Sequence, residues 1–232
     1  MIPEKTADID ADAFFNQIYE KCAPHSMTSK EKMYAMYEAT KYILDKNIEG
    51  DIVECGLWEG GSLMIAALTL INYNSWDRKI YGYDTFAGMT KPEEADVNVN
   101  NFKALDYFNK TSQAANASAW CYSSLANTKS NLVSTNYPED KIILVKGLVE
   151  ETIPAMIPRQ ISLLRLDTDW YTSTYHELVH LFPLLSEGGV IIIDDYGYWK
   201  GAEKAVNEYF GQNNIKLLLN RIDNSGRMAI KN

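Results

Sequence analysis

Asp51-Ile-Val-Glu-Cys-Gly-Leu-Trp-Glu-Gly-Gly-Ser62 is the stretch whose reading decides the fold. Asp51–Cys55 is a short apolar run of strand type, the glycines from Gly56 to Gly61 mark a turn, and Ser62–Leu70 continues as an apolar helix. A strand that ends in such a turn and resumes as a helix is the first half of a βαβ unit. The same grammar recurs outward from it. Lys79–Asp84 reads as a second strand ending in an acid, and Lys141–Val145 as a third. Ile161–Leu166 is a fourth, ending at Asp167, and Gly189–Ile193 a fifth, ending at Asp194-Asp195. Helical patterns over Ser173–Leu185 and Gly201–Phe210 fill two of the gaps, and Ile215–Leu219 and Arg227–Ile230 read as edge strands. Short strands alternating with helices predict an α/β fold with a largely parallel sheet.

Two regions stand outside this rhythm. Before residue 50 the chain reads as helix. Ala11–Tyr19 carries Phe14, Phe15, Ile18 and Tyr19 at helical spacing, and a second helix over Ser29–Lys46 follows the capping-box pattern Thr28-Ser-Lys-Glu31. Met33, Met36, Tyr37, Ile43 and Leu44 fall along one stripe of that helix, which predicts a packed cover or a surface between copies. The second region, Thr90–Asn136, separates the second and third strands. A structureless loop of that length is unusual inside a domain, so helices are expected over 100–110 and 114–127. The insertion reads as packed helices, as a cover over a site, or as both. One domain is expected, with residues 1–49 as its helical cover, 50–232 as its body and 90–136 as the insertion.

The 232 residues carry 22 Lys and Arg against 31 Asp and Glu, a formal charge of −9. That balance argues against wrapping a nucleic-acid backbone, which wants a basic stripe, and against a polybasic membrane anchor. The longest aliphatic stretch, Gly188–Asp194, is far short of the ~20 residues that span a bilayer. Cys22, Cys55 and Cys121 form no C-x-x-C pair, and the acidic N-terminus lacks the basic and apolar regions of a signal peptide. A reducing, cytoplasmic setting is the expectation.

In open α/β sheets ligands bind outside the carboxyl ends of the strands. The first crossover places Glu54, Gly56, Gly60 and Gly61 there, at a spacing unlike the dinucleotide fingerprint. Glu59 lies inside this loop and would meet a pyrophosphate with negative charge, whereas a cationic ligand is compatible with it. S-adenosylmethionine, with its ammonium, sulfonium and ribose, fits, and Asp84 is placed to accept ribose hydroxyls. An ordinary tight turn is the alternative. Asp167 and Asp194 close successive strands and Asp195 follows, so the three meet if those strands are neighbours. Like charges so close are costly unless protonated, paired or metal-bound. They suit a hard divalent ion, Mg²⁺ or in its place Mn²⁺, and the alternative is solvent-facing caps. Asp169, two residues on, is a candidate to accept a hydroxyl proton.

His176-Glu-Leu-Val-His180 matches the zinc-protease string H-E-x-x-H. On a helical wheel Tyr175, Leu178, Phe182 and Leu185 face the core while both histidines point outward, and no third ligand is apparent. A zinc hydrolase therefore stays only as an alternative, beside a non-catalytic nucleotide- or carbohydrate-binding protein. Arg165 alternates with Leu164 and Leu166 and is expected to be paired with a carboxylate if buried. Trp170, Tyr171, Tyr196, Tyr198 and Trp199 cluster after the acidic strand ends and suit either a sugar pocket or ordinary packing.

Val53–Ser62, Tyr83–Met89, Val145–Pro154, Leu164–Tyr171, Gly188–Gly197 and Trp199–Val206 resemble, in order, the motifs of the macrocin O-methyltransferase family. That family includes enzymes acting on mycinamicin and on the noviose sugar of novobiocin. The resemblance runs over about residues 27–230. It implies a class I methyltransferase (Rossmann-like) fold of seven strands, the last antiparallel. It also implies S-adenosylmethionine and Mg²⁺, a glycoside or sugar-like diol as substrate, and a homodimer or larger homo-oligomer. Carried over by motif, Asp167, Asp194 and Asp195 are metal ligands, Asp169 the general base, and Glu54, Gly56, Ser62 and Asp84 cofactor contacts; Gly60, from the reading of the glycine loop, is a further expected cofactor contact. The insertion corresponds to a lid. Thr168 replaces the smaller residue usual between the two aspartates, and His180 lies outside the family pattern.

Overall fold

A computed structural model describes residues 7–232; the first six residues of the expected 1–49 cover lie outside the described residues. Three helices come first, α1 (Ala7–Ala11), α2 (Ala13–Cys22) and α3 (Lys30–Asp45). The first βαβ unit is β1 (Asp51–Cys55), α4 (Gly61–Asn72) and β2 (Ile80–Asp84). The insertion holds α5 (Ala104–Thr111), the small hairpin β3 (Ser112–Ala114) and β4 (Ala117–Ser118), and α6 (Leu125–Val133). Then follow β5 (Ile142–Lys146), α7 (Val149–Thr152), β6 (Ile161–Leu166), α8 (Tyr171–Leu181) and β7 (Leu185–Ile193). The chain closes with α9 (Lys200–Gln212), β8 (Asn220–Arg221) and β9 (Arg227–Ile230).

Seven strands form one sheet in the order β5-β2-β1-β6-β7-β9-β8. The first five are parallel, β9 runs antiparallel to β7, and β8 pairs antiparallel with β9. The fold is therefore the expected Rossmann-like α/β sheet with flanking and inserted helices. Alternate residues of each strand serve opposite faces, as the two-residue period requires. Ile52, Ile80, Leu163 and Ile192 join α2, α3 and α4 in one core. Val53, Tyr81, Leu164 and Ile191 join α8 and α9 in the other. The stripe on α3 behaves as its spacing predicts: Met33, Met36, Tyr37 and Ile43 are buried. No helix among the described residues is long and apolar enough to cross a membrane. The three cysteines are free.

Several local expectations are corrected. Ser29, not Thr28, caps α3: its hydroxyl accepts the Lys32 amide at 3.1 Å. The 114–127 stretch is not a helix. Its alanines lose to two stronger local signals, the hairpin turned at Ala115-Asn116 and the Ser124 cap that delays α6 until Leu125. Helix α8 stops at Leu181 before a turn containing Pro183, and Leu185 already belongs to β7. Ile215–Leu219 alternates correctly, with Leu218 exposed and Ile215, Leu217 and Leu219 on the core, yet forms no strand. The outer edge of β9 is taken by Asn220–Arg221 instead.

Candidate active site

Register alone brings the acids together. Cys55 of β1 pairs with Leu166 of β6, and Leu166 with Ile193 of β7, so Gly56, Asp167 and Asp194 leave three adjacent strand ends side by side. Gly56 has no alternative there. Its φ is +83°, and a Cβ would stand 1.9 Å from the Asp167 carbonyl oxygen. The acids open onto a cavity of about 560 Å³. Glu54, Gly56, Ser62, Asp84, Asp167, Asp169, Asp194 and Asp195 all line it, with Tyr198 and Trp199 from the loop before α9. Gly60 does not line it; its Cα faces Thr128 and Leu132 of α6, and its left-handed backbone serves the start of α4.

Asp167, Asp194 and Asp195 each bring one oxygen within 4.8 Å of the others. Two cations neutralise part of this cluster. Arg165, buried in β6, bridges Glu54, Asp194 and, at 2.8 Å, Asp167. Lys32 reaches in from α3 and pairs with Asp194. Arg165 thus has the carboxylate partners its burial demands. Lys32 carried no sequence signal except its place after the Ser29 cap. Burial works against the Lys32 charge, and Asp194 and Asp195 overcome it and hold the ammonium above its ordinary value. Asp194, with both cations, is lowered despite burial. Asp167 is pushed up to about 7 and Glu54 up to about 8, because burial outweighs Arg165 in both. Asp195 is also raised well above its ordinary value, by burial and by the neighbouring Asp169 and Asp167 charges.

Five carboxyl groups, counting Glu54 and Asp169, therefore face two cations. Two buried oxygens, Asp195 Oδ2 and Glu54 Oε2, have no hydrogen-bond partner among the described residues. Orphaned oxygens beside excess negative charge are what a hard divalent ion and a cationic ligand would satisfy, so the donor set fits both.

Asp84 ties down the glycine loop. Its Oδ2 accepts the amides of Leu57 at 2.7 Å and Trp58 at 3.2 Å, and its Oδ1 accepts that of Phe86 at 2.7 Å. Burial raises its carboxyl, against those three amides. The insertion supports the same loop from behind. Thr128 donates its hydroxyl to the Trp58 carbonyl at 2.6 Å, and Asn131 its amide to that of Glu59 at 3.0 Å. Glu59 itself turns away from the cavity and pairs with His25 at 2.9 Å. The repulsion expected between Glu59 and a pyrophosphate is thereby removed, and the case for a cationic ligand rests on the acids instead.

Asp169 adopts φ +66°, uncommon outside glycine, and its Oδ1 accepts the Trp199 indole N–H at 2.6 Å. Burial and then the Asp167 charge hold its carboxyl well above the ordinary range, while Trp199 opposes the shift. Trp199 packs between Trp170, at 5.0 Å, and Trp120 of the insertion, at 6.3 Å. Of the aromatic cluster, Tyr198 and Trp199 face the cavity, whereas Tyr171 and Tyr196 bond Glu208 and Asn207 outside it.

The rings of His176 and His180 lie 4.4 Å apart, tilted by 51°, on the outer side of α8, with His176 held by the Ile153 carbonyl at 2.9 Å. The only cluster of three or more potential ligands among the described residues is the aspartate trio, so the H-E-x-x-H string acquires no third ligand.

A sequence model of the family described as Macrocin-O-methyltransferase (TylF) matches residues 13–230. Mycinamicin III 3''-O-methyltransferase of Micromonospora griseorubida is 28% identical over 202 residues, spanning 87% of this chain and 76% of that protein. Demethyldecarbamoylnovobiocin O-methyltransferase of Streptomyces niveus is 25% identical, spanning 87% and 74%. Among solved structures, the O-methyltransferase NovP shares the fold with a TM-score of 0.77 at 23% identity, over 89% of this chain and 82% of that one. With a family match that runs from α2 to β9 through every strand of the main sheet, the chain belongs to the macrocin O-methyltransferase family and is an S-adenosylmethionine-dependent O-methyltransferase.

Proposed function

We propose that the protein methylates a hydroxyl of a sugar or glycosylated natural product in a divalent-cation-dependent reaction. The observation that carries this reading is the trio Asp167, Asp194 and Asp195, three carboxylates converging beside Asp169 at one end of the cavity. The names of the relatives support the acceptor class: each quoted protein is an O-methyltransferase of a natural product, and the mycinamicin enzyme is named for a 3''-position.

Glu54 Oε2, the Gly56 backbone, Ser62 and Asp84 would hold S-adenosylmethionine, and Gly60 would contribute only by shaping the loop. Asp167, Asp194 and Asp195 would hold Mg²⁺ or Mn²⁺. When bound, the ion lowers the acceptor hydroxyl's pKa and orients it, and the sulfonium supplies an activated methyl group. The chain's own residues do the rest. Asp169 Oδ1 is held by Trp199, which leaves Oδ2 to take the acceptor proton as the O–CH₃ bond forms and the S–CH₃ bond breaks. The bonding pair would stay with the sulfonium sulfur, which balances the charge of the transfer. Lys32 and Arg165 keep Asp194 ionised and oriented throughout. Tyr198, Phe102 and Met27, at 39%, 43% and 59% exposure, form the rim over which an acceptor enters, and the insertion acts as its lid.

The test is a methyl-transfer screen with S-adenosylmethionine over glycosides and simple catechols at matched concentration. Glycosides are expected to be turned over; transfer to catechols with none to any glycoside would sink the acceptor assignment.

A further inference from the structure

Glu177 is a carboxyl group that the reaction does not use. It sits on the sheet-facing side of α8 and is completely buried. Its Oε1 accepts the Thr168 hydroxyl at 2.9 Å, while Oε2 has no hydrogen-bond partner among the described residues. The Cys55 thiol, at the end of β1, is a further buried neighbour, near enough to feel its charge. Stability alone gives no reason for a carboxyl here. A half-satisfied buried carboxyl costs free energy that a leucine of similar reach would not.

What the carboxyl does reach is decisive for the site. Thr168 is the residue between Asp167 and Asp169. It lines the cavity with both neighbours, but its hydroxyl points away from them to Glu177. The turn is tight: the Trp170 amide donates to the Thr168 carbonyl at 2.7 Å, and Asp169 is in the left-handed region. The bond to Glu177 is the only one the Thr168 side chain makes among the described residues, so it fixes the rotation of this turn. Cys55 immediately precedes Gly56 on the neighbouring strand. One buried carboxyl therefore lies beside both strand ends and is hydrogen-bonded to the one that carries the aspartate pair.

We propose that Glu177 is a positioning residue for methyl transfer, acting through the Thr168 hydroxyl to aim Asp167 and Asp169. The inference rests on the proposed divalent-ion site and deepens it. Burial holds the Glu177 carboxyl well above its ordinary range, so it can do this without adding charge to an already acidic site.

The test uses Mn²⁺ as the probe, with affinity read by electron paramagnetic resonance and turnover measured separately. Thr168→Val keeps the shape and removes the hydroxyl; Glu177→Leu removes the acceptor. Each is expected to weaken Mn²⁺ binding and lower kcat by roughly tenfold or more, the range typical of groups that orient metal ligands. The S-adenosylmethionine dissociation constant should change by less than about twofold, and the double variant should be little worse than either single one, as expected of residues acting as a pair. Glu177→Gln, which keeps the accepting oxygen, should restore Mn²⁺ affinity and kcat to within about threefold of wild type, because one hydrogen bond then remains. Wild-type Mn²⁺ affinity and kcat in Thr168→Val would overturn the proposal, even if Glu177→Leu did not fold. A wild-type protein that takes up no Mn²⁺ would instead overturn the ion site on which it rests.

Discussion

In the proposed reaction the role of Asp169 depends on which of its oxygens is left free. Trp199 occupies Oδ1, so only Oδ2 remains for a proton, and the left-handed backbone aims it into the cavity. Asp169→Asn preserves the bond to Trp199 and removes the proton acceptor. It should lower kcat by about 10²–10⁴, the usual contribution of a general base, with Mn²⁺ affinity changed little. Steady-state kinetics beside a Mn²⁺ titration checks this, and a wild-type rate removes the base role. Trp199→Phe keeps a ring between Trp120 and Trp170 and deletes the N–H. It should cost about 1.5–3 kcal/mol of orientation energy, seen as a fall in kcat of about tenfold or more at unchanged KM. Asp167, Asp169, Asp194 and Asp195 were legible in the sequence because acids at strand ends have no structural explanation as simple as packing. Lys32 was not. A lysine among other charges in a helix looks like a solvated residue until the fold brings α3 over the end of β7. Glu59 failed for the converse reason: position in the chain placed it in the loop, but only the fold could pair it with His25.

At the scale of elements, the insertion is stitched to the catalytic body by named polar contacts. Asp96, 1% exposed, accepts the Glu93 amide at 2.7 Å and, across the fold, the Tyr171 amide at 3.0 Å. It therefore caps the first turn of α8, whose own N-cap residue, Trp170, offers no side-chain acceptor. Asp96→Ala should destabilise the protein by about 1–3 kcal/mol in urea unfolding, the cost of losing a buried cap. A shift within error would mean the insertion is not coupled to α8. The parallel strands were readable because each is a short apolar run ended by Gly or Asp, and β1, β6 and β9 begin and end where the pattern places them. Inside the insertion the apolar residues Phe102, Tyr107 and Trp120 follow no single period. Phe102 and Trp120 pack on Trp199, a partner about eighty residues or more away, and Tyr107 packs on Trp120, so local pattern could not reveal the hairpin. The 215–219 run failed differently. Its alternation was right, but the ladder to β9 takes in only Asn220 and Arg221, and the residues before them pack on the core without pairing.

Across the whole molecule, part of the −9 charge acquires a location: five carboxyl groups meet at one sheet edge over two cations. The consequence for pH follows from the direction of the shifts. Asp167 at about 7 and Glu54 at about 8 lie above the ordinary carboxyl values near 4, so the ion-free native state binds more protons than the unfolded chain between those limits. Their contribution is fully present below pH ~4 and is lost as pH rises through about 7 to 8. A divalent ion reverses this by favouring the ionised forms. Binding should release protons, and the gain in Tm from Mn²⁺ should grow between pH 6 and pH 8; a gain independent of pH contradicts the charge accounting. The most direct test of the account is methyl transfer from S-adenosylmethionine to a glycoside, measured after chelation and again after Mg²⁺ is restored. The account predicts that chelation abolishes turnover, that Mg²⁺ recovers it, and that Asp195→Asn cannot be rescued at the same concentration. Equal turnover with and without the chelator would contradict it.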